Sequence, residues 1–167
     1  DFGNGKAGLT DVKLFNATEM QGNVSIAAQL TEASYDKYMK SVDGTASMDS
    51  AFAPSGEFKY AFGSGDDTLN MKVNGGLLAD RDFQLVIDGG EGNDLIQYVA
   101  DFATDNQIAN QQKLMNVTIN GGAGDDVIKT PGSGNVIINA GSGNDTVYAD
   151  NNGDKAVFVL NAGTNAA

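Results

Sequence analysis

The chain has 167 residues, of which 22 are acidic and 10 are basic, so its formal net charge at pH 7 is −12. This acidity, together with the lack of a basic patch, argues against nucleic acid as a partner, because the protein would repel phosphate. The sequence contains no histidine and no cysteine, which excludes His-based triads, thiol nucleophiles, disulfides and typical zinc sites.

No apolar run approaches the roughly 20 residues that span a bilayer, so we expect no membrane insertion. The sole arginine, Arg81, lies between Asp80 and Asp82, which is typical of a solvated ion pair. We therefore expect no catalytic residues and a protein that is not an enzyme. Because the chain begins at Asp1 and shows no signal peptide, we interpret it as a fragment of a larger protein.

The first sixty-one residues carry short strand patterns and one helical pattern. Residues 12–15 and 23–28 predict strands, and residues 31–42 predict a short amphipathic helix that Thr31 can cap. One face of that helix is formed by Tyr35, Met39 and Val42. We interpret the helix as a lid packed on a sheet, and a contact for another protein is the alternative.

Four short turns of one pattern then organise the chain, each reading Gly-x-Gly-[Asn/Asp]-Asp-x-aliphatic. They are Gly63-Ser64-Gly65-Asp66-Asp67-Thr68-Leu69, Gly90-Glu91-Gly92-Asn93-Asp94-Leu95-Ile96, Gly122-Ala123-Gly124-Asp125-Asp126-Val127-Ile128 and Gly141-Ser142-Gly143-Asn144-Asp145-Thr146-Val147. Gly89 and Gly121 precede the second and third turns, whereas Phe62 and Ala140 hold that place in the others. One such cluster is an ordinary turn, but four copies in the same phase indicate a shared ligand.

We expect that ligand to be calcium, a hard cation that takes six to eight oxygen ligands from carboxylates and backbone carbonyls. A tight turn can aim several carbonyls at one ion only where its backbone bends freely, and glycine allows this. The terminal aspartate adds charge on a short side chain. The predicted metal residues are therefore Gly63, Gly65, Asp67, Gly90, Gly92, Asp94, Gly122, Gly124, Asp126, Gly141, Gly143 and Asp145.

The turns resemble the RTX nonapeptide repeat, Gly-Gly-x-Gly-x-Asp-x-U-x with U large and aliphatic. The resemblance covers residues 62–148 and implies an all-β fold, a right-handed parallel β-roll or β-helix. We expect long irregular coils with one inserted helix, in a single domain over residues 1–167. It comprises calcium-poor coils over 1–61, calcium-binding coils over 62–148 and a degenerate final coil over 149–167.

The spacing of the repeats predicts how the coils stack. The repeats start at residues 62, 89, 121 and 140, so the gaps are 27, 32 and 19 residues, which we interpret as one coil each with insertions. Opposite turns are expected at Asn74-Gly75-Gly76, at residues 101–112 and at residues 131–138, where Val136 replaces the aspartate. The four turn aspartates then lie above one another, and about three calcium ions fit between adjacent turns.

Two columns of core residues should flank the turns. Two residues before each repeat start stand Tyr60, Ile87, Ile119 and Ile138, and two after each aspartate stand Leu69, Ile96, Ile128 and Val147. Phe15-Asn16-Ala17 and Leu160-Asn161-Ala162-Gly163 echo Ile138-Asn139-Ala140-Gly141, so we expect coils at both ends and a vestigial turn near residue 163.

The leading hypothesis is a calcium-binding structural module of a secreted bacterial surface protein, either a surface-layer protein or a large adhesin. Type 1 secretion is implied by the resemblance, and extracellular calcium would fold and rigidify the chain. The alternatives are the non-catalytic C-terminal module of a type 1 secreted hydrolase and, less favoured, a polysaccharide-binding β-helix. Self-association and cell-surface polysaccharide are the further partners left open.

Overall fold

A computed structural model of the chain describes residues 8–38, 56–74, 83–101, 116–131, 136–149 and 160–162. Almost all of its regular structure is strand. The strands are β1 (Gly8–Thr10), β2 (Leu14–Asn16), β3 (Ser25–Leu30), β4 (Gly56–Ala61), β5 (Thr68–Asn74), β6 (Phe83–Glu91), β7 (Leu95–Asp101), β8 (Asn116–Ala123), β9 (Val127–Lys129), β10 (Val136–Ser142), β11 (Thr146–Tyr148) and β12 (Leu160–Ala162), and the helix is α1 (Glu32–Tyr38).

The strands are shared alternately between two six-stranded sheets. The first sheet has the order β1-β3-β5-β7-β9-β11, and the second has the order β12-β10-β8-β6-β4-β2. Every pairing in both sheets is parallel. Because consecutive strands enter opposite sheets and each pairs with the strand one coil away, the chain winds as a coil. The predicted all-β, parallel β-roll architecture is confirmed.

The gaps between repeats are one coil each, as the spacing predicts. Strands β4, β6, β8 and β10 precede the four turns and are neighbours in one sheet, while β5, β7, β9 and β11 follow the turns in the other. Of the opposite turns predicted at residues 74–76 and 101–112, only Asn74 and Asp101 are described, and they end strands β5 and β7. Of the one predicted at residues 131–138, residues 136–138 belong to strand β10 instead. Val136 begins β10, where it is buried and pairs with Val117.

Both predicted core columns form. Register pairs Tyr60 with Ile87, Ile87 with Ile119, and Ile119 with Ile138, and all four side chains are fully buried. Register likewise aligns Leu69, Ile96, Ile128 and Val147. Full burial of such side chains contributes roughly 1.5–3 kcal/mol each, so the columns supply a continuous apolar seam beside the turns.

The ends of the roll agree only in part with the expectation. Phe15 pairs with Tyr60 and so extends the first core column to the N-terminal coil. Leu160 pairs with Ile138 as the sequence echo predicts, but a register shift then sets Ala162 against Gly141. A vestigial turn from residue 163 lies outside the described residues.

The predicted N-terminal strands were displaced by about two residues. The strand expected at residues 12–15 is Leu14–Asn16, and the strand expected at 23–28 is Ser25–Leu30. Asn23 and Val24 belong to the turn before β3, because both are bonded to the turn above them. Strand β1 was not predicted, since its three residues Gly-Leu-Thr carry no periodic signal.

Helix α1 begins where the cap predicts, with the Thr31 hydroxyl accepting the Ala33 N–H at 3.2 Å. Residues 39–42, which complete the predicted apolar face, lie outside the described part of the chain. Tyr38 packs edge-on against Phe58 with 5.8 Å between ring centroids, so the helix contacts the core as a lid does.

Asp11 fixes this helix to the sheet. Its carboxylate accepts hydrogen bonds from the Thr31 N–H, the Thr31 hydroxyl and the Ser34 hydroxyl, and its carbonyl accepts one from Tyr38. Burial opposes ionisation of Asp11, but the bonds from Ser34 and Thr31 outweigh it and lower the pKa. Asp11 has a φ of 55°, a conformation that Asp tolerates better than most residues.

Candidate metal centre

The four glycine-rich turns lie at one edge of the roll. Each turn leaves a strand of one sheet and enters a strand of the other: β4 to β5, β6 to β7, β8 to β9 and β10 to β11. Parallel register within both sheets stacks equivalent positions directly, so Gly90 pairs with Gly122 and Gly122 with Gly141. The predicted metal residues are therefore brought together in columns.

Six of the eight turn glycines adopt the positive φ for which glycine is needed. They are Gly90, Gly92, Gly122, Gly124, Gly141 and Gly143, with φ between 101° and 133°. A Cβ at Gly122 would collide with the carbonyl oxygen of Gly90, and one at Gly124 with that of Gly92. Glycine thus allows the backbone of one turn to approach the carbonyls of the turn below.

The turn aspartates form a hydrogen-bonded ladder. The Asp94 carboxylate accepts the Asp67 N–H at 2.8 Å, Asp126 accepts the Asp94 N–H at 2.9 Å, and Asp145 accepts the Asp126 N–H at 3.0 Å. At the foot of the ladder, Asp67 accepts the Val24 N–H at 2.6 Å. Each bond uses Oδ1 and joins one coil to the coil below it.

The second carboxylate oxygens of this ladder are buried without hydrogen-bond partners. Oδ2 of Asp67, Asp94 and Asp126 has no hydrogen-bond partner, and these three side chains are at most 3% exposed. A buried, ionised and unpaired carboxylate oxygen is costly unless it is hydrogen-bonded or coordinates a metal. A column of three such atoms would fit a bound cation.

The ionisation of the two middle aspartates reflects this burial. Burial raises the pKa of Asp94 to about 7, and the neighbouring charges of Asp126 and Asp67 add to the rise while the hydrogen bond from the Asp67 amide opposes it. Burial likewise raises the pKa of Asp126 to about 6, with Asp145 and Asp125 as the charged neighbours. A bound cation would reverse this preference for the neutral form.

Backbone carbonyls converge on the same places. A Cβ at Gly89 would collide with both Asp94 Oδ2 and the Gly121 carbonyl oxygen, and one at Gly121 with Asp126 Oδ2 and the Ala140 carbonyl oxygen. In the second and third turns, the unpaired carboxylate oxygen and a carbonyl of the next coil therefore lie close together. Only glycine leaves room for both.

The donor set suits calcium. Among the residues that the structure describes, no group of three or more His, Cys, Asp or Glu side chains converges on one point. A site here must draw on one carboxylate per turn and several carbonyls, and such all-oxygen ligation is typical of calcium. Gly63, Gly65, Asp67 and the matching residues of the other turns could supply it.

A second ladder, which the sequence analysis missed, runs beside the first on the exposed side. Amide N–H groups of Asp66, Asn93, Asp125 and Asn144 donate to the side-chain oxygens of Asn23, Asp66, Asn93 and Asp125, respectively, at 2.7–3.0 Å. The signal was present, because every turn has Asn or Asp directly before its aspartate. Either residue offers the needed Oδ1, so this column requires no charge.

Comparison with known families agrees with this geometry. The sequence profile described as RTX calcium-binding nonapeptide repeat, in four copies, matches residues 86–97, 116–130 and 132–155. The second, third and fourth of these turns match RTX calcium-binding repeats. The matched segments contain the second, third and fourth turns, whereas the first turn, at residues 62–69, lies outside them. No curated protein and no solved structure matches the chain significantly.

RTX repeats bind calcium and are typical of secreted bacterial proteins. Within the part of the chain that the structure describes, no helix has the length and apolar character needed to cross a membrane. The recognition of the repeat from the sequence is confirmed. The number of ions that these turns hold stays a prediction.

Proposed function

We propose that this chain is a calcium-binding structural module of a secreted bacterial surface protein, of the surface-layer or adhesin kind, that folds and rigidifies on meeting extracellular calcium. The observation that carries the proposal is the column of buried, unpaired Oδ2 atoms on Asp67, Asp94 and Asp126. A bound cation would supply the partner that these oxygens lack among the described residues.

The aspartates make the fold respond to calcium. Stacked coils hold these carboxylates roughly 4.8 Å apart, where like charges repel by roughly 3–4 kcal/mol per pair at an intermediate dielectric constant. In a compartment poor in calcium this repulsion opposes the closing of the turns. A bound ion supplies the compensating charge, and its binding energy becomes folding energy.

Each aspartate acts on two coils. Oδ1 of Asp126 bonds to the amide of Asp94 in the coil below, while its Oδ2 lies beside the Ala140 carbonyl position of the coil above. The carboxylate therefore holds its turn to the lower coil and presents an oxygen toward the upper one. We expect Asp126→Ala to weaken two neighbouring calcium sites at once.

The test combines far-UV circular dichroism and static light scattering during a calcium titration from EGTA, with magnesium as control. We expect calcium alone to increase the β signal and compact the chain. Growth in mass would support assembly into a lattice or fibre, and a monomer would favour a passive module. An unchanged spectrum across the calcium titration would overturn the proposal.

Two variants sharpen this test. Asp126→Asn keeps the Oδ1 acceptor and removes the charge from the buried ladder, so we expect it to weaken calcium binding by about tenfold, or about 1.4 kcal/mol. Asp125→Asn removes a charge one residue away on the exposed ladder, where Asn93 and Asn144 already serve, and should change affinity little. Equal effects of the two would indicate general electrostatics rather than ligation.

A further inference from the structure

The first turn differs from the second and third at its leading position. Phe62 stands where they have Gly89 and Gly121, and it is only 3% exposed. Its ring packs on that of Phe15, with 5.3 Å between centroids. Glycine leaves space beside Asp94 and Asp126, whereas in the first turn an aromatic side chain occupies the equivalent position.

The Cβ of Phe62 conflicts with the arrangement of oxygens seen in the middle turns. At Gly89, a Cβ would collide with the carboxylate of the same turn and with the next coil's carbonyl. Phe62 holds the equivalent register position, one residue after Ala61, and carries such a Cβ. In the second turn, Asp94 Oδ2 and the Gly121 carbonyl oxygen both lie close to Gly89. Asp67 Oδ2 and the Gly89 carbonyl oxygen therefore cannot lie equally close to Phe62 in the first turn.

The backbone of the first turn differs as well. The six glycines of the other three turns have φ between 101° and 133°, whereas neither Gly63 nor Gly65 lies in this positive range. Peptide orientation changes with φ, so the carbonyls of the first turn are presented differently. The side chain of Phe62 thus separates this turn from the second and third turns, and the backbone conformation separates it from all three others.

We propose that the calcium sites are unequal, with two tight sites built on Asp94 and Asp126 and a weak site at Asp67. This proposal rests on the proposed function and ranks its sites. The first turn keeps the ladder bond, from the Val24 amide to Asp67, and is held in addition by the aromatic packing of Phe62. It forms a junction between coils joined by apolar contacts and coils joined by metal.

The ranking implies a graded response to calcium. As the concentration rises, the two tight sites fill first and close the coils from β6 to β11. The site at the junction fills last, since calcium affinity depends on how many ligands a site presents and how rigidly it holds them. Stiffening of the junction would then need more calcium than stiffening of the remaining coils.

The experiment is isothermal titration calorimetry of the full chain with calcium, comparing Phe62→Gly with Phe62→Ala. Both variants lose the ring, and only the glycine variant loses the Cβ. We expect two tight sites and a third at least about tenfold weaker in the parent and in Phe62→Ala. Phe62→Gly should tighten the third site by about tenfold relative to Phe62→Ala.

The reverse substitution keeps the proposal testable if both Phe62 variants fold poorly. Gly89→Ala places a Cβ against Asp94 Oδ2 and should convert one tight site into a weak one. Gly22→Ala is the matched control, because a Cβ there meets nothing within 4 Å. Its titration should match that of the parent.

The outcomes separate this inference from the proposed function. Three sites of equal affinity in the parent, or equal titrations of Phe62→Gly and Phe62→Ala when both fold, would overturn the ranking while leaving calcium binding intact. An unchanged titration of Gly89→Ala would also overturn it. Absence of any calcium heat or structural change in the parent would overturn the proposed function itself.

Discussion

The two ends of the roll join their coils by different means. In the N-terminal coils the interior is aromatic: Phe15 stacks on Tyr60 at 6.1 Å, and Phe58 contacts Phe83 at 5.4 Å. In the later coils the same register positions hold smaller aliphatic residues, and the turns carry buried aspartates without hydrogen-bond partners for Oδ2. The same coil geometry thus carries ring packing at its N-terminal end and a column of buried turn carboxylates from Asp67 onward, and the two features overlap in the coil of Tyr60 and Asp67.

The contrast has a physical basis in the position below Asp67. In the first coil Val24 occupies the place of the turn aspartate, and only its backbone N–H takes part in the ladder. A turn with valine at this position adds no carboxylate to the column and so no repulsion there. In the coils above it, the stacked turn carboxylates repel one another unless a cation lies between them.

The largest expected effect comes from breaking the aromatic end. Phe58 is fully buried between Tyr38 and Phe83, so Phe58→Ala should lower the free energy of unfolding by about 3–5 kcal/mol, through lost contacts and a cavity. Denaturant unfolding in saturating calcium measures this. Leu14→Ala, at a side chain that is 63% exposed, is the control and should change stability by less than about 0.5 kcal/mol. A small effect of Phe58→Ala would contradict the role assigned to the rings.

An intermediate effect is expected from the backbone of the metal end. Gly122 has a φ of 116°, and a Cβ there would collide with the Gly90 carbonyl. Gly122→Ala should cost at least about 1–3 kcal/mol in calcium and weaken calcium binding, since the collision displaces a candidate ligand. Thermal unfolding with and without calcium measures both, with Gly22→Ala as control. The comparison fails if the two variants behave alike.

The sequence predicted the roll and its register because both depend on strict phase. Tyr60, Ile87, Ile119 and Ile138 stand at a fixed distance from their turns, whatever the length of the insertion between coils. A shift of one residue would move each to the opposite face of the sheet. The core columns could therefore be predicted from the fixed distance between each core residue and its turn, although the gaps between repeats vary from 19 to 32 residues.

Long-range polar contacts could not be predicted in this way. Asp11 contacts Thr31 and Ser34 across 20 and 23 residues, and nothing in the local sequence marks these partners. The sequence showed that the first turn has Phe62 in place of glycine, but it did not show what this difference does to the turn. Its consequence emerged when a Cβ at Gly89 proved incompatible with Asp94 Oδ2.

The smallest expected effect concerns pH and the metal-free ladder. Burial raises the pKa of Asp94 to about 7 and that of Asp126 to about 6, from 3.8. The folded state thus favours the protonated forms, and this stabilising contribution is fully present below pH 3.8 and is lost as pH rises through 6 and 7. In EGTA, lowering the pH from about 8 to about 5 should raise the melting temperature by about 5 °C.

Calcium affinity should move in the opposite direction over the same interval, because protons compete for the carboxylates. Asp126→Asn, which cannot titrate at this position, should show a smaller rise in melting temperature in EGTA than the parent. Asp125→Asn should behave as the parent does. A melting temperature that falls on acidification in EGTA would contradict the assigned burial of these two carboxylates.

Hydrogen exchange read by mass spectrometry shows whether calcium joins the later coils through their turns. The amides of Asp94 and Asp126, which donate to the aspartate ladder, should exchange quickly in EGTA and become protected in calcium. Amides of strand β3 should change little between the two conditions. Turn amides that are equally protected with and without calcium would show that calcium does not join these coils.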